Sequence, residues 1–440
     1  MTNMIDVLIM AGQLILGLSL LVGLHELGHL LTAKMFGMRV EKYYIGFPPK
    51  IWSMQRGETE YGIGAIPLGG FVKISGMIDE SLDTKNMSAQ PEPWEFRAKP
   101  AWQRLIVMLG GIVVNVVTGV IIFVALTYAN GKNYYSVNDA KYGIVASDMA
   151  QEMGLKTGDK IVKINGKPFD DFNEIRKIFL ESNSYYTILR GGKELDVEIP
   201  NDFIEKLSDK KNEGKPFVEP ITPFIVGDVP AGTTAQKAGL KAGDKIVRIN
   251  QTPVQFYHEF KELAKANSGK PVVLGLIRNN EPTNINLTVN PDGSVGFFAQ
   301  TLLKPSHIDY GIGESVVMGT SMAFSTVYDQ IKAFGKIFRG EISAQKSLGS
   351  FVTIGKAYGN VFDWVKFWSL TGMLSMVLAF MNLLPIPALD GGHTVFLLFE
   401  MITGRKPSDT FLENAQKVGM VLLLGLMVFA FGNDIMKLFL

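Results

Sequence analysis

The sequence predicts a polytopic α-helical membrane protein with a duplicated α+β insert between its second and third spanning helices. Three observations predict this class. Four stretches are long and apolar enough to cross a bilayer, which takes about 20 mainly apolar residues each: 7–36, 105–128, 364–384, and 418–431 with its neighbours. They lie toward the two ends of a 440-residue chain, so distribution decides what the bulk figures of 47% hydrophobic and 19% charged residues leave open. The polar middle contains a near-identical repeat, 154–165 and 239–250.

The first stretch differs from a cleaved secretory signal. Its flank carries Asp6 and no Lys or Arg, and its apolar character runs on past His25 to Phe36. It reads as a retained helix. Orientation follows from the basic residues near the ends of short loops. Lys34, Arg39 and Lys42 follow the first helix, Arg97 and Arg104 border the second, and Arg405 and Lys406 separate the third from the fourth. These loops are expected to face the cytoplasm, with 131–313 on the other side. A net charge of +1 shows no basic stripe for nucleic acid, so no such partner is expected.

Between the first two helices, residues 40–74 are mostly apolar but too rich in glycine, and too interrupted, to span. In the insert, Gly154-Leu-Lys-Thr-Gly-Asp-Lys-Ile-Val-Lys-Ile-Asn165 is matched by Gly239-Leu-Lys-Ala-Gly-Asp-Lys-Ile-Val-Arg-Ile-Asn250, and Pro168 and Pro253 follow in step. Each copy reads as a tight turn, a short strand and then a helix, at 172–180 and 257–266, with a polar join near 208–216. The pattern resembles the bacterial PDZ domain, whose groove takes an extended peptide as an added strand. The expected domains are an N-terminal membrane region 1–129, PDZ-like domains at 130–220 and 221–305, and a C-terminal membrane region 306–440.

The absence of cysteine removes disulfides and thiolate chemistry, so a metal site must use His, Asp or Glu. His25-Glu26-Leu27-Gly28-His29 meets that need. Imidazoles four apart on a helix share a face and can reach one ion, and the adjacent Glu26 carboxylate can take a proton from the attacking water. Ionisable groups inside an apolar helix are costly and functional by default. At about 1.5 Å per residue, His29 lies roughly 10 Å inside the Phe36 end of the run. Catalytic zinc takes three protein ligands, and Asn382-Leu-Leu-Pro-Ile-Pro-Ala-Leu-Asp390-Gly-Gly-His393 offers the third. Pro385 and Pro387 break the third helix, and irregular backbone at membrane depth is tolerated where it lines a cavity. Asp390 is the preferred ligand, His393 the competitor, and Asn382 would line the cavity.

HExxH in the first helix, Asn-Leu-Leu-Pro…Leu-Asp-Gly in the third, and the PDZ-like pair between them resemble the site-2 protease family of intramembrane zinc metalloproteases, in its RseP-type branch. The resemblance implies Zn2+ held by His25, His29 and Asp390, with Glu26 as general base. It implies that Gly111-Ile-Val-Val-Asn115 is the family's GxxxN motif, with Gly111 and Asn115 near the active site, and that Asn382 holds the substrate backbone. Residues 40–74 are similar to the family's membrane-reentrant β-hairpin, whose edge at Gly69 and Gly70 would pair with an unwound substrate. The implied activity is regulated intramembrane proteolysis of single-span proteins, such as trimmed anti-sigma factors, and of remnant signal peptides. The implied location is the bacterial inner membrane, with periplasmic PDZ-like domains and a site near the cytoplasmic face. A non-catalytic peptide-binding receptor would lack the HExxH glutamate or the third ligand, and a transporter would not need HExxH.

Overall fold

The computed structural model describes residues 4–77, 90–207, 212, 215–343, 345 and 351–439. The chain divides into two compact units. One comprises Met1–Gly131, Asp309–Gly335 and Ala344–Leu440, and the other Lys132–Ile308 with Lys336–Ser343.

In the first unit, helix α1 (Met4–Met35) is followed by strands β1 (Val40–Arg56) and β2 (Thr59–Ile74) and by helix α2 (Ala101–Asn130). After the insert come α3 (Ile312–Phe338), whose end belongs to the second unit, then α4 (Phe351–Tyr358), α5 (Trp364–Leu383), α6 (Asp390–Thr403) and α7 (Asp409–Phe439). Among the described residues, four helices are long and apolar enough to cross a membrane: α1, α2, α5, and Thr410–Asp434 within α7. The fourth extends well beyond the short apolar stretch that marks it in the sequence. Helix α3, broken in sequence by Glu314, Asp329 and Lys332, gives no comparable signal.

Where lipid supplies no hydrophobic drive between helices, small residues let backbones approach. At the α1–α2 crossing, a Cβ on Gly28 would collide with the Gly110 carbonyl, and one on Gly110 would meet the Gly28 carbonyl. At one end of α2, Arg104 Nη2 pairs with Glu400 Oε1 of α6 at 2.5 Å, with both side chains largely buried. Asp363 caps α5 by accepting from the Lys366 N–H at 2.8 Å.

Strands β1 and β2 are not a simple hairpin. Residues 42–45 pair twice, with 70–73 on one side and 60–63 on the other, while 50–56 pair with 59–64. Each strand therefore folds over, and the sheet has four segments with residues 66–74 along one margin. Ile51, Trp52, Met54 and Ile63 project exposed apolar side chains from the far part of the sheet.

The second unit is two copies of one design. Its four-stranded sheets, Lys160–Ile164 with Lys167–Pro168, Ser184–Arg190 and Lys193–Ile199, and Lys245–Ile249 with Thr252–Pro253, Pro271–Arg278 and Glu281–Thr288, have the same strand order. The repeated letters serve this frame. Asp159, 2% exposed, accepts two bonds from Arg190, at 2.7 and 2.6 Å, and Asp244, 1% exposed, accepts two from Arg278 at the same distances. Each arginine also donates to the repeat's first glycine, at the Gly154 and Gly239 carbonyls. Asn165 and Asn250 take left-handed backbone, φ 49° and 54°, and accept from the neighbouring strand at Tyr185 N and Val273 N. Asparagine tolerates that conformation better than most residues. The long segment of this unit, Lys132–Ile308, begins and finishes as one ribbon, Lys132–Tyr134 antiparallel to Ser306–Ile308. The polar join at 208–216 lies largely outside the described residues.

Candidate metal centre

Helix α1 carries His25 and His29 one turn apart, both buried at 9% and 4% exposure. The Pro385–Pro387 interruption ends α5 at Leu383 and starts α6 at Asp390, which aims the Asp390 carboxylate at the two rings. His25 Nε2 and His29 Nε2 are 3.2 Å apart, and Asp390 Oδ2 lies 3.1 Å from the first and 3.4 Å from the second. Three ligand atoms at about 2.0–2.1 Å from one tetrahedral ion stand about 3.3 Å from each other. The observed triangle has that size. Asp390 Oδ2 is buried and forms no hydrogen bond, so its lone pairs are free for an ion. The donor set of two imidazoles and one carboxylate suits zinc. His393, the competing candidate, lines the same cavity outside this triangle.

Helix α2 supports both rings from below. The His29 Nδ1–H donates to the Val107 carbonyl at 2.8 Å, which leaves Nε2 unprotonated and available. The Asn115 amide nitrogen sits 3.4 Å from His25 Nδ1, fully buried, and the amide oxygen has no hydrogen-bond partner. With that oxygen turned to the ring, Asn115 accepts from Nδ1–H, removing the orphaned acceptor and fixing the same tautomer for His25. Ser375 Oγ holds the Asn115 carbonyl at 2.7 Å. Gly111 lies beneath the pair, where a Cβ would stand 2.5 Å from His29 Nε2 and 2.6 Å from His25 Cε1. Gly111 and Asn115, expected near the active site, both stand against the imidazoles.

The centre opens into a cavity of about 370 Å³. Glu26 lines it beside the histidines, as do Phe47 and the β2 residues Gly70, Phe71 and Val72. A Cβ on Gly70 would be 3.4 Å from Glu26 Cγ, so the sheet margin runs directly past the carboxylate. Gly69 lies buried under the Phe47 ring rather than on the cavity wall. Asn382 also lines the cavity, its amide nitrogen 3.2 Å from His25 Nε2. Gln416 of α7, which carries no signal in the sequence, completes the wall beside His393.

A family model described as peptidase family M50 matches residues 13–426. A Yersinia pestis protein named protease RseP is 26% identical over 99% of this chain and 100% of its own length. The regulator of sigma E protease of Haemophilus influenzae is 28% identical, covering 97% of this chain and 98% of its own. A Fusobacterium nucleatum protein whose name assigns it to the zinc metalloproteases is 28% identical over 96% of this chain and 97% of its own.

Proposed function

This chain belongs to peptidase family M50, the site-2 protease family, and is a multi-pass membrane zinc metalloprotease; from that premise we propose that it cuts the transmembrane segments of single-span proteins at the centre formed by α1, α2 and the α5–α6 break. One observation carries the reading: a zinc-sized triangle of His25, His29 and Asp390 lies beside Glu26, in a cavity bordered by a sheet margin.

When bound, zinc supplies the Lewis acidity that acidifies water and polarises the scissile carbonyl. His25, His29 and Asp390 hold it, and the Val107 carbonyl and Asn115 keep both rings in the ligating tautomer. Glu26 takes the proton of the attacking water and passes it to the leaving amine. The Asn382 amide donates to the substrate's carbonyl oxygen as charge develops there. A helical substrate must unwind to expose a peptide bond, and its freed backbone groups then need partners. The β2 margin at Gly70, Phe71 and Val72, which line the cavity where the buried Gly69 does not, supplies them by strand addition. The exposed apolar residues of the sheet support its insertion into the bilayer as a reentrant element.

The two lobes of the insert, 130–220 and 221–305, are PDZ-like domains on the extracytoplasmic side of a bacterial inner membrane. Their bulk excludes substrates with large external domains and admits trimmed ones, such as anti-sigma factors after a first cut and remnant signal peptides. Two relatives named for sigma E regulation or as RseP support that substrate class. In the second lobe, helix Tyr257–Ala266 and residues 292–298 enclose a groove of about 500 Å³ that fits an extended peptide.

The test is direct. The purified chain, reconstituted in bilayers, should cut transmembrane peptides within their apolar segment, lose that activity to a zinc chelator, and regain it with added zinc. Cleavage indifferent to chelator, or confined to the flanks, would refute the proposal.

A further inference from the structure

We infer that helix Phe203–Leu207 is an internal ligand of the first lobe, its Phe203 ring filling the side-chain pocket that the second lobe holds open. The inference rests on the PDZ-like reading of the insert and adds an occupant to one of its two grooves.

The repeat decides which residues correspond. The spacing that carries Gly154 onto Gly239 and Pro168 onto Pro253 also carries Ile175 onto Phe260 and Phe179 onto Ala264. The structure keeps that step, since the isolated bridges at Asp171 and Phe256 match and all four of the later residues are buried. In the second lobe Ala264 leaves room, lining the groove of about 500 Å³ with Phe260, Gly296 and Phe297. In the first lobe the matching residue is a phenylalanine, and the chain brings a second ring to meet it. Between strands Lys193–Ile199 and Val218–Pro220 the first lobe carries helix Phe203–Leu207, where the second lobe joins Glu281–Thr288 to Phe298–Thr301 without a helix. The Phe203 ring lies 5.0 Å from that of Phe179 and 5.2 Å from that of Phe217, centroid to centroid. Phe179 stands on the helical wall, and Phe217 directly precedes the strand wall, so Phe203 bridges the two.

The plug is an addition to the shared frame. The second lobe closes a core around Phe224, Phe260, Leu274 and Leu276 with its groove open. Five residues are too few for a helix to hold itself, so docking of the ring must hold this one. Two tethers flank it, both within the same unit. Lys336 Nζ, at the end of α3, donates to the Asn201 carbonyl at 2.9 Å, and the Ser343 N–H donates to Glu205 Oε2 at 2.9 Å. A peptide that docks on the first lobe must therefore bring a bulky apolar side chain and displace Phe203.

The probe is a fluorescent peptide with the chain's own sequence from Ile199 to Leu207, added to full-length protein. It should bind Phe203→Ser protein, whose pocket is vacated, at least about tenfold more tightly than wild type, the worth of burying one phenylalanine ring. The same peptide carrying Phe203→Ala should lose that advantage, and bound peptide should protect 174–180 and 218–220 from hydrogen exchange. In the wild type, amides of 203–207 should exchange at least about tenfold faster than those of Ser184–Ile199, by local opening that leaves the sheet intact. If Phe203→Ser protein loses protection of the sheet, the wild-type exchange decides alone. Equal binding to both proteins, equal binding of the alanine peptide, or exchange of 203–207 only together with the sheet would overturn the inference. Local opening with no peptide bound would instead show that the filled space is not a peptide groove, which removes the PDZ-like reading beneath it.

Discussion

Gly111→Ala should disable zinc binding while leaving the helices assembled. The added methyl would stand 2.5 Å from His29 Nε2, 2.6 Å from His25 Cε1 and 2.7 Å from His25 Nδ1. Non-bonded heavy atoms settle at about 3.5 Å or more, so the rings must yield by about 1 Å. Zinc–ligand distances tolerate about 0.2 Å. Loss of an outer partner alone weakens metal sites about 10- to 100-fold, and displaced ligands should exceed that. Zinc affinity should therefore fall at least about 100-fold, or about 2.8 kcal/mol. Competition with a chromophoric chelator measures it, with hydrogen exchange along α1 and α2 reporting that the helices stay packed. An alanine variant that is folded and binds zinc within about threefold of wild type would refute the argument that Gly111 makes room for the rings.

Glu26→Gln should retain zinc and lose about 10²–10⁴-fold in cleavage rate; full activity would remove Glu26 from the mechanism. Asp390→Ala should lower zinc occupancy and abolish turnover, with His393→Ala milder, since only Asp390 approaches both imidazoles; metal analysis showing the reverse would exchange the two assignments. Asp244→Ala should destabilise the second lobe by about 3–5 kcal/mol at the upper end, the cost of leaving a partner of a buried pair alone, lessened by the 26% exposure of Arg278; limited proteolysis of the full chain would show early cutting between 221 and 305. Replacing 143–304 by a short flexible linker of matched span should preserve cutting of a trimmed substrate and extend it to an untrimmed one; retained discrimination would refute the filter.

The class of enzyme was legible because its chemistry uses scarce letters in costly places. Two of the chain's five histidines occur four apart in an apolar helix, and a carboxylate follows a Pro-Ile-Pro break in another. The four helices long and apolar enough to span a membrane were legible from local composition, apart from the extent of the last. A β-hairpin over 40–74 was legible by resemblance, but its folding over was not, because the double pairing of residues 42–45 with both 60–63 and 70–73 is a non-local event that alternation within one strand cannot encode. Gly111 was visible as part of a pattern, yet its physical reason, two imidazoles above it, exists only once α1 and α2 cross. Gln416 was invisible: a glutamine on a helix looks solvated until Gly419 brings that helix against Pro387. The repeat was legible as a duplication, while the partners that explain its aspartates, Arg190 and Arg278, lie outside the repeated letters.

The ribbon that joins Lys132–Tyr134 to Ser306–Ile308 has a bearing on descent. Paired antiparallel strands run about 5 Å apart, so the two ends of the segment Lys132–Ile308 lie at almost one place. A segment whose ends coincide behaves as a cassette. Its internal duplication, or the loss of one copy, lengthens or shortens the excursion without moving the two strands of the ribbon. Evolution could thus change the number of lobes, one repeat at a time, while the helices that carry His25, His29 and Asp390 kept their register.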